Sequence, residues 1–250
     1  MAITQAKNVS TDAPPSTTTK IAFCVPVLPG MEAEHRVDMA AAEGGDKEDL
    51  HTASRRRAGI RVEKAWHQGT PDGTLGIVYI EADDLDEAFR SLATSDDPYD
   101  AWFRDHAKRI NGVDLSKGFA LPELMLDWVS PSVVGATVQM MAYASPILPG
   151  KEGTERSYHA SVAGGLRTDE HRASRTAAGV TREAAWLQDT PMGPVAVGVM
   201  EAEDLETAIR FLATSDLPFD QYFRDTVREV HGIDFEDGFP PPELILDWSA

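Results

Sequence analysis

The chain has 250 residues, 42% of them hydrophobic, and carries 41 Asp and Glu against 23 Lys and Arg, a formal net charge of −18. Two cores of about 110 residues fit that length, and so acidic a surface repels phosphate backbones and anionic lipid, which argues against nucleic acid and membrane surfaces as partners. A single cysteine, Cys24, excludes a disulfide framework within the chain, and no run of about 18 apolar residues offers a membrane span.

The first residues, Met1–Lys20, are rich in Thr, Ser and Pro and hold no apolar run. They read as a disordered tail over 1–19 rather than a signal peptide, and the chain as a cytoplasmic protein. Ile21–Val27 alternates and is β-prone, so it reads as a strand closed by Leu28-Pro29-Gly30. A helix follows, with Glu32 and Arg36 spaced for an i,i+4 pair, and Gly44-Gly45 breaks it at a cost of about 2 kcal/mol in helix propensity. A second helical piece runs from about Lys47 to Ala58 and stops at Gly59. Val62–Thr70 and Leu75–Glu81 are strands around a Pro71-Asp72-Gly73 turn. Asp84 caps a helix from Leu85, with Glu87 in the capping-box position. Pro98 opens another that ends near Gly112, and Glu123–Val129 is the last strand.

The pattern then repeats. Residues 21–128 and 141–248 align without a gap at a shift of about 120, with roughly 50 of about 108 pairs identical. The expected organisation is a tail (1–19), a first repeat (20–129), a linker (130–138) and a second repeat (139–250). Each copy reads β-α-β-β-α-β, the split pattern of a ferredoxin-like α+β domain. A four-stranded sheet with helices on one face leaves the other bare, and two copies packed face to face bury it and are expected to enclose a space between the sheets.

With Val27-Leu28-Pro29-Gly30 as its strand-to-helix corner, and with Ala53-Ser54-Arg55, Trp66-x-Gln68-x-Thr70-Pro71 and Leu126-Asp127-Trp128 recurring in the second copy, the repeat resembles the dimeric α/β-barrel superfamily, here as a tandem fusion. The resemblance covers nearly all of both copies and is closer to bacterial members of unassigned function than to a characterised enzyme. It implies an intramolecular version of that barrel. The superfamily includes cofactor-independent monooxygenases, cyclases, isomerases, haem enzymes and plain ligand-binding modules, so function must come from a site.

Three sets of residues recur in both copies. His51, Ser54 and Arg55 share one helix face, as do His171, Ser174 and Arg175. They read either as a general acid/base beside an oxyanion clamp, with the serines binding substrate, or as a structural knot around a carboxylate such as Asp127. Trp66 and Gln68, with Trp186 and Gln188, share one strand face and either orient a planar substrate or fill the core. Asp127 and Asp247 sit mid-strand, either as bases in the inter-sheet space or as partners of Arg55/Arg175 or Arg104/Arg224.

Unshared groups form a fourth set: Cys24, Lys64, His67 and His106 in the first copy, His159 and His231 in the second. If one half alone is active, its chemistry should use these. Neither haem ligation by His106 nor a metal on His159 and His171 is backed by a ligand motif, so no cofactor and no metal are expected. Two readings stay open: an enzyme acting on a small molecule without a tightly bound cofactor (cyclase, isomerase or monooxygenase type), and a non-catalytic ligand-binding or interaction module. A haem- or metal-dependent enzyme is the further alternative, and a homo-oligomer of the fused pair is left open.

Overall fold

The computed structural model describes residues 19–118, 120–131, 138–235, 238 and 240–250. The expected tail, apart from Thr19, and most of the expected linker lie outside the described residues. The first repeat runs β1 (Lys20–Val27), α1 (Glu32–Ala42), α2 (Glu48–Arg57), β2 (Ile60–Thr70), β3 (Gly73–Ala82), α3 (Leu85–Thr94), α4 (Pro98–Asn111) and β4 (Glu123–Val129). The second runs β5 (Gln139–Pro146), α5 (Glu152–Val162), α6 (Thr168–Ala177), β6 (Val180–Thr190), β7 (Gly193–Ala202), α7 (Leu205–Thr214), α8 (Pro218–His231) and β8 (Glu243–Ser249). Local chemistry accounts for the boundaries. Asp84 accepts the Glu87 N–H at 2.9 Å to start α3, and Pro98 occupies the first turn of α4. Between α1 and α2, a Cβ on Gly45 would lie 2.6 Å from Ala41 Cα, so only glycine lets the chain fold back there.

The eight strands form two antiparallel four-stranded sheets, ordered β1-β3-β2-β8 and β4-β6-β7-β5. Each sheet therefore takes its outer strand from the other repeat: β8 pairs with β2, Lys64 opposite Asp247, and β4 pairs with β6, Asp127 opposite Ala184. The exchange also redirects Arg36. Its expected partner was Glu32, but β8 brings Glu243 alongside α1, and the guanidinium takes that carboxylate at 2.7 Å. Arg156 pairs likewise with Glu123 of β4.

The sheets pack face to face as an intramolecular dimeric α/β barrel, with helices on the outer faces. The space between them is filled. Trp66, Ile77 and Tyr79 from one sheet and Trp186, Val197 and Val199 from the other are at most 1% exposed and belong to one continuous core. Two glutamines close the barrel edges. Gln68 on β2 bonds both backbone groups of Ala144 on β5, and Gln188 on β6 bonds both of Cys24 on β1, all at 2.7–2.8 Å. Among the described residues no helix is long and apolar enough to cross a membrane.

Candidate functional site

The cavities lie on the opposite face of each sheet from the one expected, between strands and helices. The first repeat holds one of about 360 Å3, the second one of about 120 Å3. Alternation along the strands explains the placement. Trp66 and Gln68 point into the barrel, while Glu63, Ala65 and His67, one residue out of phase, face the helices.

The larger cavity is mainly apolar. Phe23 and Val25 come from β1, Val78 and Ile80 from β3, Phe89 from α3 and Phe103 from α4. Its polar lining includes His35 on α1 and His106 and Asn111 on α4. His35 Nδ1 lies 2.8 Å from His67 Nε2, and the His35 and His106 rings stand 5.5 Å apart, centroid to centroid. His106 Nδ1 is 2.9 Å from Asp38 Oδ2, within reach though poorly aligned, while its Nε2 is buried without a partner among the described residues. Asp38 is itself held by Lys47, which bonds Oδ1 at 3.0 Å and sits over the Trp102 ring beside His106. Burial holds the His106 ring below its ordinary pKa, with Asp38 only partly offsetting that effect. Burial, then the neighbouring histidines, push His35 down to about 3, and burial lowers His67 as well. The cluster is thus neutral near pH 7. Asn111 is positioned by donating to the Pro26 carbonyl at 2.9 Å.

The recurring His-Ser-Arg faces lie elsewhere. Arg55, 1% exposed, grips Glu63 through Nε at 2.5 Å and Nη2 at 3.2 Å, and donates to Ser54 at 3.1 Å. Ser54 bonds Asp100, and His51 lies between Tyr99 Oη at 3.0 Å and Glu63 Oε2 at 3.3 Å. The second copy repeats this: Arg175 holds Glu183 and Ser174, Ser174 bonds Asp220, and His171 Nε2 meets Glu183 at 2.6 Å. Burial raises the carboxyl of Glu63 and of Glu183, but the arginine and histidine outweigh it and keep each ionised far below the usual carboxylate range. Neither His51 nor His171, nor the serines or arginines beside them, lines either cavity; of each knot only the glutamate does.

The remaining residues of the recurring sets also line neither cavity. Trp66, Trp186, Gln68 and Gln188 belong to the barrel interior just described, away from both cavities. Asp127 and Asp247 face solvent on the outer strands and pair with Lys20, at 2.5 Å, and Lys64. The arginines proposed for them are engaged otherwise: Arg55 and Arg175 with Glu63 and Glu183, and Arg104 and Arg224 with the carbonyls that end α3 and α7. Cys24 is buried, which pushes its thiol up to about 11. Sequence reasoning missed Glu63/Glu183 and Asp100/Asp220, although both pairs recur at equivalent positions. It also missed His35, whose counterpart is Glu155; of the histidines clustered with it, His67 and His106 were among the unshared residues singled out. Among the described residues no group of three or more His, Cys, Asp and Glu is arranged to hold a metal ion.

No family model and no curated relative matches the sequence. Solved structures of similar fold exist. An anthrone oxidase-like protein aligns over 92% of each chain with a TM-score of 0.50 at 9% identity. A proposed monooxygenase from Fusobacterium nucleatum aligns over 92% of this chain and 97% of its own, with a TM-score of 0.46 at 9% identity. At such identity the likeness is one of fold.

Proposed function

We propose that the chain is a small-molecule enzyme working without a tightly bound cofactor, of cyclase, isomerase or monooxygenase type, and that the cavity of the first repeat is its active site. The reading also places the chain with the tandem-fused members of the dimeric α/β-barrel superfamily that its sequence resembles. One observation carries it: the His106 ring lines a roomy apolar cavity, with Nε2 buried and unpartnered among the described residues and Asp38 Oδ2 2.9 Å from Nδ1. A neutral imidazole so oriented is suited to accept a proton.

In this reading His106 removes a proton from an activated C–H or O–H of a planar substrate seated among Phe23, Phe89 and Phe103. His35 and Asn111, on the same wall, meet the oxyanion that develops. The knots around Arg55 and Arg175 are supports. They tie α2 and α6 to the strands and keep the sheet rigid behind the pocket.

The anthrone oxidase-like neighbour contributes only a first substrate to try. With anthrone in air, oxygen uptake is expected, and His106→Gln should lower it about a hundredfold or more, the usual worth of a positioned acid or base. Binding without any turnover of hydroxyaromatic or enolisable substrates would instead favour the non-catalytic module.

A further inference from the structure

The second repeat's cavity is built differently, and the duplication shows each change. Where the first repeat has His35, Met39, His106 and Asn111, the second has Glu155, His159, Thr226 and His231. The base of the first site has no counterpart: Thr226 turns its hydroxyl to the Tyr222 carbonyl at 2.9 Å. A histidine appears instead one helix away, on α5. His159 Nε2 lies 3.1 Å from Glu155 Oε1, and Glu155 is 3% exposed. An ionised carboxylate only accepts, so in the neutral ring Nε2 carries the proton and Nδ1 the lone pair. That Nδ1 is buried without a partner among the described residues, in a ring that lines the cavity.

His231 approaches the other carboxylate oxygen. Its Nδ1 donates to the Pro146 carbonyl at 2.9 Å, the bond that Asn111 makes to Pro26 in the first repeat. Its Nε2 faces Glu155 Oε2 at 3.5 Å. The wall is otherwise largely apolar, with Ile209, Leu212, Phe223 and Val227. Tyr143 narrows it: the ring lies across Gly198, where a Cβ would come within 2.4 Å of Cζ. The first repeat has Phe23 and Val78 at these positions.

We propose that this cavity is a second binding site, chemically distinct from the first, for a compact and mostly apolar molecule bearing one O–H or N–H, a phenol or an azole, which donates to His159 Nδ1. At about 120 Å3 it is somewhat smaller than the apolar cavity of about 150 Å3 that holds benzene, so it has room for one small ring at most and excludes the larger planar molecules that fit the first cavity. The site stands whether or not the first cavity is catalytic, because none of its residues is shared with it.

The test uses the full chain with 15N-labelled histidine and phenol as the probe. Without phenol, His159 should show the Nε2–H tautomer with a free Nδ1. Added phenol should shift that Nδ1 resonance upfield as it accepts a hydrogen bond. His159→Gln should weaken binding at this site about tenfold or more. A His159 protonated on Nδ1 in the free protein would overturn the proposal, as would a His159 signal that phenol leaves unmoved, whether or not His106 responds.

Discussion

Gln68 accepts the Ala144 N–H at 2.8 Å and donates to the Ala144 carbonyl at 2.7 Å, so one side chain completes the pairing of an edge strand in the opposite sheet. Gln188 does the same for Cys24. Each amide commits one N–H and one carbonyl lone pair to that strand. Gln68→Ala leaves a buried N–H and C=O unsatisfied, which costs about 1–3 kcal/mol. Urea unfolding should show that loss, and amide exchange at Ala144 should accelerate while exchange at Cys24 changes little. Gln188→Ala should reverse the two amides.

The Arg55–Glu63 pair predicts a double-mutant signature. Arg55→Met leaves an ionised carboxylate buried without its cation and should cost about 3–5 kcal/mol, whereas Arg55→Met with Glu63→Leu should recover most of that. Equal losses in the single and double variants would mean the pair does not hold α2 to β2.

Acid should weaken the first repeat through its histidines. His35 sits at about 3 in the folded chain against 6.5 for a free histidine, so the unfolded chain binds the extra proton between those values. Stability from this group is complete above about pH 6.5 and is lost as pH falls toward 3, by up to about 1.4 kcal/mol per unit. His67 and His106 are displaced in the same direction. Glu155, held near 2 against 4.5, adds a further loss below about pH 4.5. Replacing His35, His67 and His106 with Gln should flatten the stability curve between pH 6.5 and 4.5, read by chemical unfolding at each pH.

Strand exchange makes the repeats interdependent. A chain of residues 19–131 keeps β4 but lacks the strand that pairs with β2. Sedimentation equilibrium should find it as a strand-exchanged homodimer or an aggregate, since an open apolar sheet face and edge are costly. A stable folded monomer would contradict the exchanged arrangement.

The repeat made the elements legible, because every capping residue, turn and strand alternation could be checked against a second copy; Asp84 with Asp204 and Pro98 with Pro218 are cases. The exchange of β4 and β8 was not. Leu-Asp-Trp reads the same in either sheet, and only the path of the chain after α4 and α8 decides between them. The candidate site was half visible. His67 and His106 stood out as unshared residues, but neither sequence distance nor periodicity joins them to His35 and Asp38, which meet them only once α1 and α4 pack on the sheet. The shared His-Ser-Arg face is buried around a carboxylate in each copy and lines neither cavity. A buried arginine demands a carboxylate wherever it occurs, so both copies retain Glu63 or Glu183.

The most direct test isolates the proton step. Under anaerobic conditions in D2O, the methylene hydrogens of anthrone exchange only if something removes them, whatever chemistry follows. Proton NMR should find that exchange accelerated by the protein, cut about a hundredfold or more by His106→Gln, and unchanged by Asp127→Asn. Exchange at the buffer rate, or equal rates with and without His106, would contradict the assignment of the first cavity as a catalytic site.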